Sequence, residues 1–254
     1  MDIVVPIKLV PDLVEDLEIN DDGTDLDRDF LSTKINEFCD HAIEEAVQLK
    51  EAHGGSVTVL ALEGEETDKV LFTALAKGAD RAVKVTGFDE DEAVSTHEVA
   101  AAMCAAIADR PWDLILTGVQ AADDRDGQLG ALMAARLEVP CVSVVCDVSI
   151  EDGTVVLHKE YAGGLSARFE AEPKLVLGIQ AARETPRYAP VSRVRQLMKE
   201  SELEEFEAES DGGAGSSVRR MYAPESGDKA EMLDGSAEDI AGRIAELINA
   251  KRGG

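Results

Sequence analysis

Strand-like and helix-like segments alternate through the first half of the chain, and this alternation constrains the fold more than any other feature. Short apolar runs typical of buried strands occupy residues 3–5, 56–62, 82–85 and 112–117. Between and after them, apolar side chains recur at helical spacing in residues 36–51, 68–77, 93–108 and 128–136. Such alternation predicts an α/β fold with a mainly parallel, doubly wound sheet. Ligands in this architecture bind beyond the carboxyl ends of the strands.

After residue 140 the pattern changes to consecutive strands. Residues 141–150, 154–161 and 165–170 have strand composition, with turns at Glu151-Asp152-Gly153 and Gly163-Gly164. Residues 174–179 return to a buried-strand pattern. We therefore expect a strand-rich segment added to the parallel sheet.

The last fifth of the chain has a different composition. From residue 200 onward acids, glycine and serine dominate, which is typical of a solvated linker over 200–235. An amphipathic helix is predicted from Ser236, which opens a capping-box-like S-A-E-D sequence. We divide the chain into an α/β domain over 1–199, a linker over 200–235 and a C-terminal helical arm over 236–254. The apolar face of that arm needs a surface to pack against.

The charge of the chain excludes several classes of function. The chain has 52 acidic and 25 basic residues, which gives a net charge of -27. This charge disfavours binding to nucleic acid or to anionic membrane surfaces. We interpret the acids as a surface suited to high salt, as in a halophilic protein, with an acidic mesophilic protein as the alternative. Four cysteines without a CxxC pair, and no apolar run long enough for a signal peptide or membrane span, predict a cytoplasmic protein.

Residues 116–130, LTGVQAADDRDGQLG, form the most informative segment. A strand is predicted to end at Gly118 and a helix to begin near Gly127 or Gln128. Free amides at a helix start bind phosphate, and both glycines would let a nucleotide approach the backbone. On spacing alone, a plain connection is the alternative. A magnesium site at Asp123, Asp124 and Asp126 is less favoured because acids are frequent throughout the chain.

A basic segment stands out within the acidic chain. Residues 183–199 contain five basic residues and one acid, a local charge of +4, together with two prolines. This loop could dock an acidic partner, or it could form salt bridges with the chain's own acids. No HExxH, GxSxG or clustered Cys/His pattern occurs, so we predict no catalytic residues and no metal ligands.

Six motifs in order resemble the beta subunit of electron-transfer flavoprotein. They are IVVPIKLVPD (3–12), NEFCDHAIEEAVQLKE (36–51), TALAKGADR (73–81), DLILTGVQAADD (113–124), KEYAGGL (159–165) and ETPRYA (184–189). One departure is Ala162, where the family usually has an acid. The motifs span nearly the whole chain.

The resemblance implies an electron-carrier subunit rather than an enzyme. In this family an alpha subunit usually holds the redox-active FAD. It accepts electrons from acyl-CoA and other dehydrogenases, as in fatty acid oxidation, and passes them toward a quinone-linked oxidoreductase. The beta subunit buries AMP in simple carriers and a second FAD in bifurcating ones.

The resemblance also implies specific site residues. The nucleotide-binding positions would be Pro6, Asn36, Gly118, Gln120, Asp124, Arg125, Gly127, Gln128 and Leu129. The partner-docking positions would be Arg187, Tyr188, Val191, Arg193, Val194 and Arg195. Val191 takes the place of an apolar anchor that is usually leucine.

The identity of the nucleotide stays open. Simple carriers typically read D-D-x-x-N-Q-T-G where this chain reads DDRDGQLG, so Gly127 and Leu129 lack side-chain donors. Backbone amides and Arg125 would have to replace them. Bifurcating members, which also bind NADH, typically read D-G-D-T-A-Q-V-G-P, and this chain lacks that threonine and proline. A stand-alone nucleotide-binding protein of the stress type is a further alternative, but its Gly-rich phosphate loop is absent from this sequence.

Overall fold

Strands and helices alternate along the part of the chain that the structure describes. This computed structural model describes residues 1–28, 31–88, 94–209, 217–224, 227 and 230–252. The strands are β1 (Asp2–Pro6), β2 (Leu9–Pro11), β3 (Thr33–Ile35), β4 (Ser56–Leu62), β5 (Arg81–Thr86), β6 (Leu114–Gly118), β7 (Cys141–Glu151), β8 (Thr154–Tyr161), β9 (Leu165–Ala171), β10 (Leu175–Ile179) and β11 (Glu204–Glu207). The helices are α1 (Glu37–His53), α2 (Thr67–Lys77), α3 (Thr96–Ile107), α4 (Leu129–Leu137), α5 (Val191–Glu200) and α6 (Ala237–Arg252).

Seven parallel strands form the body of a nine-stranded sheet. Its order is β11-β5-β4-β1-β6-β10-β7-β8-β9, and every neighbouring pair from β11 to β7 is parallel. The chain first adds β4 and β5 on one side of β1 and then returns to add β6 on the other side. The switch point of this doubly wound sheet therefore lies between β1 and β6.

The strand-rich segment extends one end of the sheet, as the sequence predicts. The first half of β7 pairs in parallel with β10, whereas its second half pairs antiparallel with β8. Val144 lies at this change of partner and has a φ of 65°. Val144 is an extra residue between the partners of Gly178 and Ile179, and such a β-bulge bends the strand locally. β9 then pairs antiparallel with β8 and forms the outer edge.

Two apolar layers cover the sheet, and the alternation of side chains along β1 separates them. Ile3 and Val5 pack in the layer that contains α1 and α2, and Val4 packs in the layer that contains α3 and α4. Successive side chains of a strand point to opposite faces, so a strand covered on both sides is apolar throughout. This double burial accounts for the uninterrupted apolar run at the N-terminus. The α/β fold class is confirmed.

The structure moves one domain boundary. The sequence suggests a linker from residue 200, but β11 pairs in parallel with β5 and Ala208 is buried in the α3 and α4 layer. The α/β domain therefore extends to Ala208. The sequence of this strand is EEFE, which lacks the apolar pattern of a buried strand. Acidic side chains are tolerated there because β11 is an edge strand whose outward side chains contact water. The predicted basic loop is likewise partly helical, since α5 begins at Val191.

The predicted C-terminal helix is present, with the cap expected from the sequence. The hydroxyl of Ser236 accepts a hydrogen bond from the amide of Asp239, and the Asp239 carboxylate accepts one from the amide of Ser236. No residue of α6 is buried. Within the described ranges, no helix is long and apolar enough to cross a membrane.

Candidate functional site

Several predicted nucleotide-binding residues meet at the carboxyl ends of β1 and β6, next to the switch point. Pro6 ends β1, Gly118 ends β6, and Asn36 is the residue immediately before α1. The amide of Asn36 donates to the carbonyl of Lys8 at 2.9 Å, and its Nδ2 donates to the carbonyl of Gln120 at 2.8 Å. Asn36 thus holds together the segment after β1, the start of α1 and the loop after β6.

Asn36 also presents an unsatisfied acceptor. Its side chain is buried, with 1% of the residue exposed, and Oδ1 has no hydrogen-bond partner among the described residues. A buried polar atom without a partner costs about 1–3 kcal/mol. An amino or hydroxyl group of a nucleoside would supply the missing donor, so this part of the site fits a nucleotide.

The local structure explains why glycine occurs at positions 118 and 127 of the loop. A Cβ on Gly118 would lie 3.0 Å from the backbone nitrogen of Cys39 and 3.0 Å from the Cβ of Phe38. The space that a side chain of residue 118 would need is therefore taken by the first turn of α1, while the approach of a nucleotide to the Gly118 backbone stays a prediction. Gly127 has a φ of 63°, a left-handed conformation that glycine adopts without strain.

Lys8 is a residue of this site that the sequence did not single out. Its Nζ lies 2.9 Å from Oδ1 of Asp123 and 2.5 Å from Oδ2 of Asp124. Burial lowers the pKa of Lys8, but its hydrogen bonds to both carboxylates outweigh that effect, and the pKa is raised. A single ammonium group thus already pairs with two of the three acids considered as magnesium ligands. Among the described residues, no cluster of His, Cys, Asp or Glu has a metal-binding arrangement.

The third acid, Asp126, lies at the start of α4. Its Oδ1 accepts a hydrogen bond of 3.1 Å from the amide of Gln128, and its Oδ2 accepts one of 2.6 Å from the hydroxyl of Thr96. The side chain of Gln128 makes no capping bond. A phosphate group could use the Gln128 amide only after Asp126 had moved. The fit of a phosphate at this helix start is therefore conditional on the side chain of Asp126.

In the basic segment, residues 183–199, two arginines pair with acids of α1. Arg183 Nε lies 3.2 Å from Oε1 of Glu45, and Arg187 Nη2 lies 2.9 Å from Oε1 of Glu44. Arg187 also contacts Glu51 through Nη1 at 2.7 Å. For these two arginines, the alternative of internal salt bridges is the one that the structure shows.

The rest of the segment divides into an exposed and a buried face. Tyr188 and Val191 are 79% and 54% exposed, and Arg193 and Arg195 are also exposed. Val194 instead packs with Phe72 of α2 and with Ala189, and it is 8% exposed. The prediction that Val194 docks a partner is corrected, because its side chain lies inside the protein.

Comparisons with known proteins agree with this architecture. The family model described as "Electron transfer flavoprotein domain" matches residues 26–210. The electron transfer flavoprotein subunit beta of Methylophilus methylotrophus is 34% identical over 265 residues, covering 100% of both chains. That of Bacillus subtilis is 28% identical over 94% of this chain and 92% of its own length. Protein FixA of Azorhizobium caulinodans is 28% identical over 98% of this chain and 94% of its own. The chain therefore belongs to the electron transfer flavoprotein family, as a beta subunit.

Proposed function

We propose that this chain pairs with an alpha subunit to form a heterodimeric electron carrier. The carrier accepts electrons from dehydrogenases, including acyl-CoA dehydrogenases, and passes them toward a quinone-linked oxidoreductase in the cytoplasm. The flavin supplies the redox chemistry when it is bound. The role of this chain is to bind a nucleotide, to position the flavin-bearing subunit and to dock the donor.

The observation that carries the proposal is the uncovered apolar face of α6. Ile244, Leu247 and Ile248 lie on this face, and each is between 44% and 49% exposed. A helix with an apolar stripe gains its stability from packing that stripe against another surface. Full-length similarity to named beta subunits supports an alpha subunit as the partner that supplies this surface.

We further propose that the site beside the switch point holds AMP or a second FAD. The residues that would hold it are Pro6, Asn36, Gly118, Gln120, Asp124, Arg125, Gly127, Gln128 and Leu129. The unsatisfied Oδ1 of Asn36 supports a nucleoside here. Gly118 would act by admitting α1, and Gln128 by offering its amide once Asp126 has moved.

Donor docking would use the exposed part of the basic segment. Tyr188, Val191, Arg193 and Arg195 are exposed together on or just before α5. They combine apolar and positively charged groups in a chain whose net charge is -27. Such a surface attracts an acidic partner and then buries an apolar contact.

Deleting residues 236–254 tests the heterodimer directly. The truncated chain, co-expressed with the alpha subunit in high salt, is expected to co-purify in reduced yield and to dissociate on gel filtration. A point variant isolates the apolar face: Ile244, Leu247 and Ile248 all changed to Ser. The matched control changes Glu238, Glu246 and Lys251 to Ser on the same helix. If the truncated chain and the triple serine variant both assemble fully with the alpha subunit, the C-terminal helical arm plays no part in forming the heterodimer.

A further inference from the structure

We propose that Glu44 is a positioning residue for donor docking, acting through Arg187. The inference rests on the proposed docking function of the basic segment. Glu44 lies on α1, is 4% exposed and stands beside Glu45, which is fully buried. Carboxylates are rarely this buried unless they are paired. Here each one binds a different arginine of the basic segment, Glu45 binding Arg183 and Glu44 binding Arg187.

The contacts of Glu44 fix both the backbone and the side chain of Arg187. Oε2 of Glu44 accepts hydrogen bonds from the Arg187 amide and from Nε, each 2.9 Å long. Oε1 accepts a bond of 2.9 Å from Nη2, which completes a bidentate pair. Oε1 also accepts a bond of 2.9 Å from Nε2 of Gln48, so the carboxylate is itself held in place.

The electrostatics of the pair agree with this geometry. Burial raises the pKa of Glu44, but the hydrogen bonds from Arg187 and Gln48 outweigh it, and the pKa lies below its ordinary value. The pKa of Arg187 is raised by its hydrogen bonds to Glu51 and Glu44. Both groups therefore stay charged, and the guanidinium is held between two carboxylates rather than offered to a partner.

Holding Arg187 determines where the exposed docking groups lie. Tyr188 directly follows Arg187, and Val191, four residues after Arg187, begins α5. Pro186 and Pro190 restrict the backbone on either side of this stretch. On the inner side, Val194 packs against α2. The segment is thus anchored ionically at its start and by apolar contact one turn into the helix.

A surface that is already ordered loses less conformational entropy when a partner binds. Releasing Arg187 should therefore weaken the encounter with a donor more than the electron transfer that follows it. Glu44→Gln tests this in the purified heterodimer. Glu51→Gln is the matched control. It also removes one carboxylate charge that pairs with the Arg187 guanidinium, but the Glu51 side chain is 55% exposed.

Two measurements are needed, and the first requires no donor. Hydrogen exchange of the amides of Arg187 and Arg193, which donate to Glu44 and to the carbonyl of Pro190, should become about tenfold faster in Glu44→Gln. It should change little in Glu51→Gln, because a buried bond to a charged group contributes more than an exposed one. Exchange at Val148, whose amide is held by Glu45, should stay unchanged. Equal exchange in the two variants would overturn the proposal.

The second measurement is reduction of the heterodimer by an acyl-CoA dehydrogenase supplied with its acyl-CoA substrate. We expect Glu44→Gln to raise the KM for the heterodimer about fivefold with kcat within twofold of wild type. Glu44→Asp, which keeps the charge on a shorter side chain, should fall between. An unchanged KM, or a fall in kcat alone, would overturn the positioning role. If the wild-type heterodimer is not reduced, the donor proposal fails, while the exchange data still judge the placement of the segment.

Discussion

Asn36 illustrates how one residue can join three segments and still leave a buried acceptor without a partner among the described residues. Its side-chain Nδ2 donates a hydrogen bond to the carbonyl of Gln120, and its backbone amide donates one to the carbonyl of Lys8. Its buried Oδ1 has no partner among the described residues. We expect Asn36→Ala to change the stability of the nucleotide-free chain by about 1 kcal/mol or less, because the carbonyl of Gln120 loses its donor while the unpartnered Oδ1 is removed. It should also reduce the amount of nucleotide retained during purification.

Urea unfolding and chromatography of the released nucleotide would measure the two effects. Asn249→Ala, at an exposed position of α6, is the matched control and should change neither. Full nucleotide retention by Asn36→Ala would place the nucleotide away from this residue.

Asp126 concerns the phosphate rather than the nucleoside. Since its carboxylate occupies the amide of Gln128, it competes with any anion at the start of α4. We expect Asp126→Asn to bind AMP about tenfold more tightly than wild type, because the change removes a negative charge that repels the phosphate, and calorimetry on the nucleotide-depleted heterodimer would measure this. Asp109→Asn, an exposed acid at the end of α3, controls for the change in net charge. Weaker or equal binding by Asp126→Asn would mean that this carboxylate assists the ligand or leaves it unaffected.

At the scale of elements, the strands and helices with a regular apolar pattern are predictable, whereas the edge strand β11 is not. α1 and β4 lie close to the boundaries predicted from apolar periodicity, because burial on a sheet demands that periodicity. β11 escapes notice since Phe206 is its one apolar residue. In α5, the charges and prolines suggest a loop, although the helix needs few apolar residues to pack on α2.

The same limits apply to the candidate site. Its location after β6 follows from the strand-to-helix pattern, which is local in sequence. Which acids meet Lys8 depends on contacts between segments more than a hundred residues apart. The internal pairing of Arg183 and Arg187 has the same origin, and charge counts alone left it undecided.

Val191 allows a test of α5 as an element. We expect Val191→Ala to slow electron acceptance from an acyl-CoA dehydrogenase without loss of bound flavin, because the change shortens an exposed apolar side chain and disturbs nothing inside. Stopped-flow reduction of the heterodimer would measure the rate. Ser192→Ala, the adjacent exposed position, is the control. Unchanged kinetics in Val191→Ala would count against docking through this helix.

At the scale of the whole molecule, the charge of -27 is the dominant property. Unscreened repulsion among the acids opposes the folded state, and salt weakens that repulsion. We expect the thermal midpoint of the chain to rise steadily as KCl is increased from about 0.1 M to about 1 M, the range in which the Debye length shortens about threefold. Calorimetry would follow it. A midpoint that is flat or falls over this range would contradict the interpretation of a salt-adapted surface.

We propose that this chain is a nucleotide-bearing beta subunit of a flavin-containing heterodimer. The most direct test is the nucleotide content of the complex with its alpha subunit, purified in high salt, denatured and analysed by chromatography. We predict two nucleotides per heterodimer: one FAD with one AMP for a simple carrier, or two FAD for a bifurcating one. A single FAD with no second nucleotide would contradict the account, because the site beside Asn36 would then hold nothing.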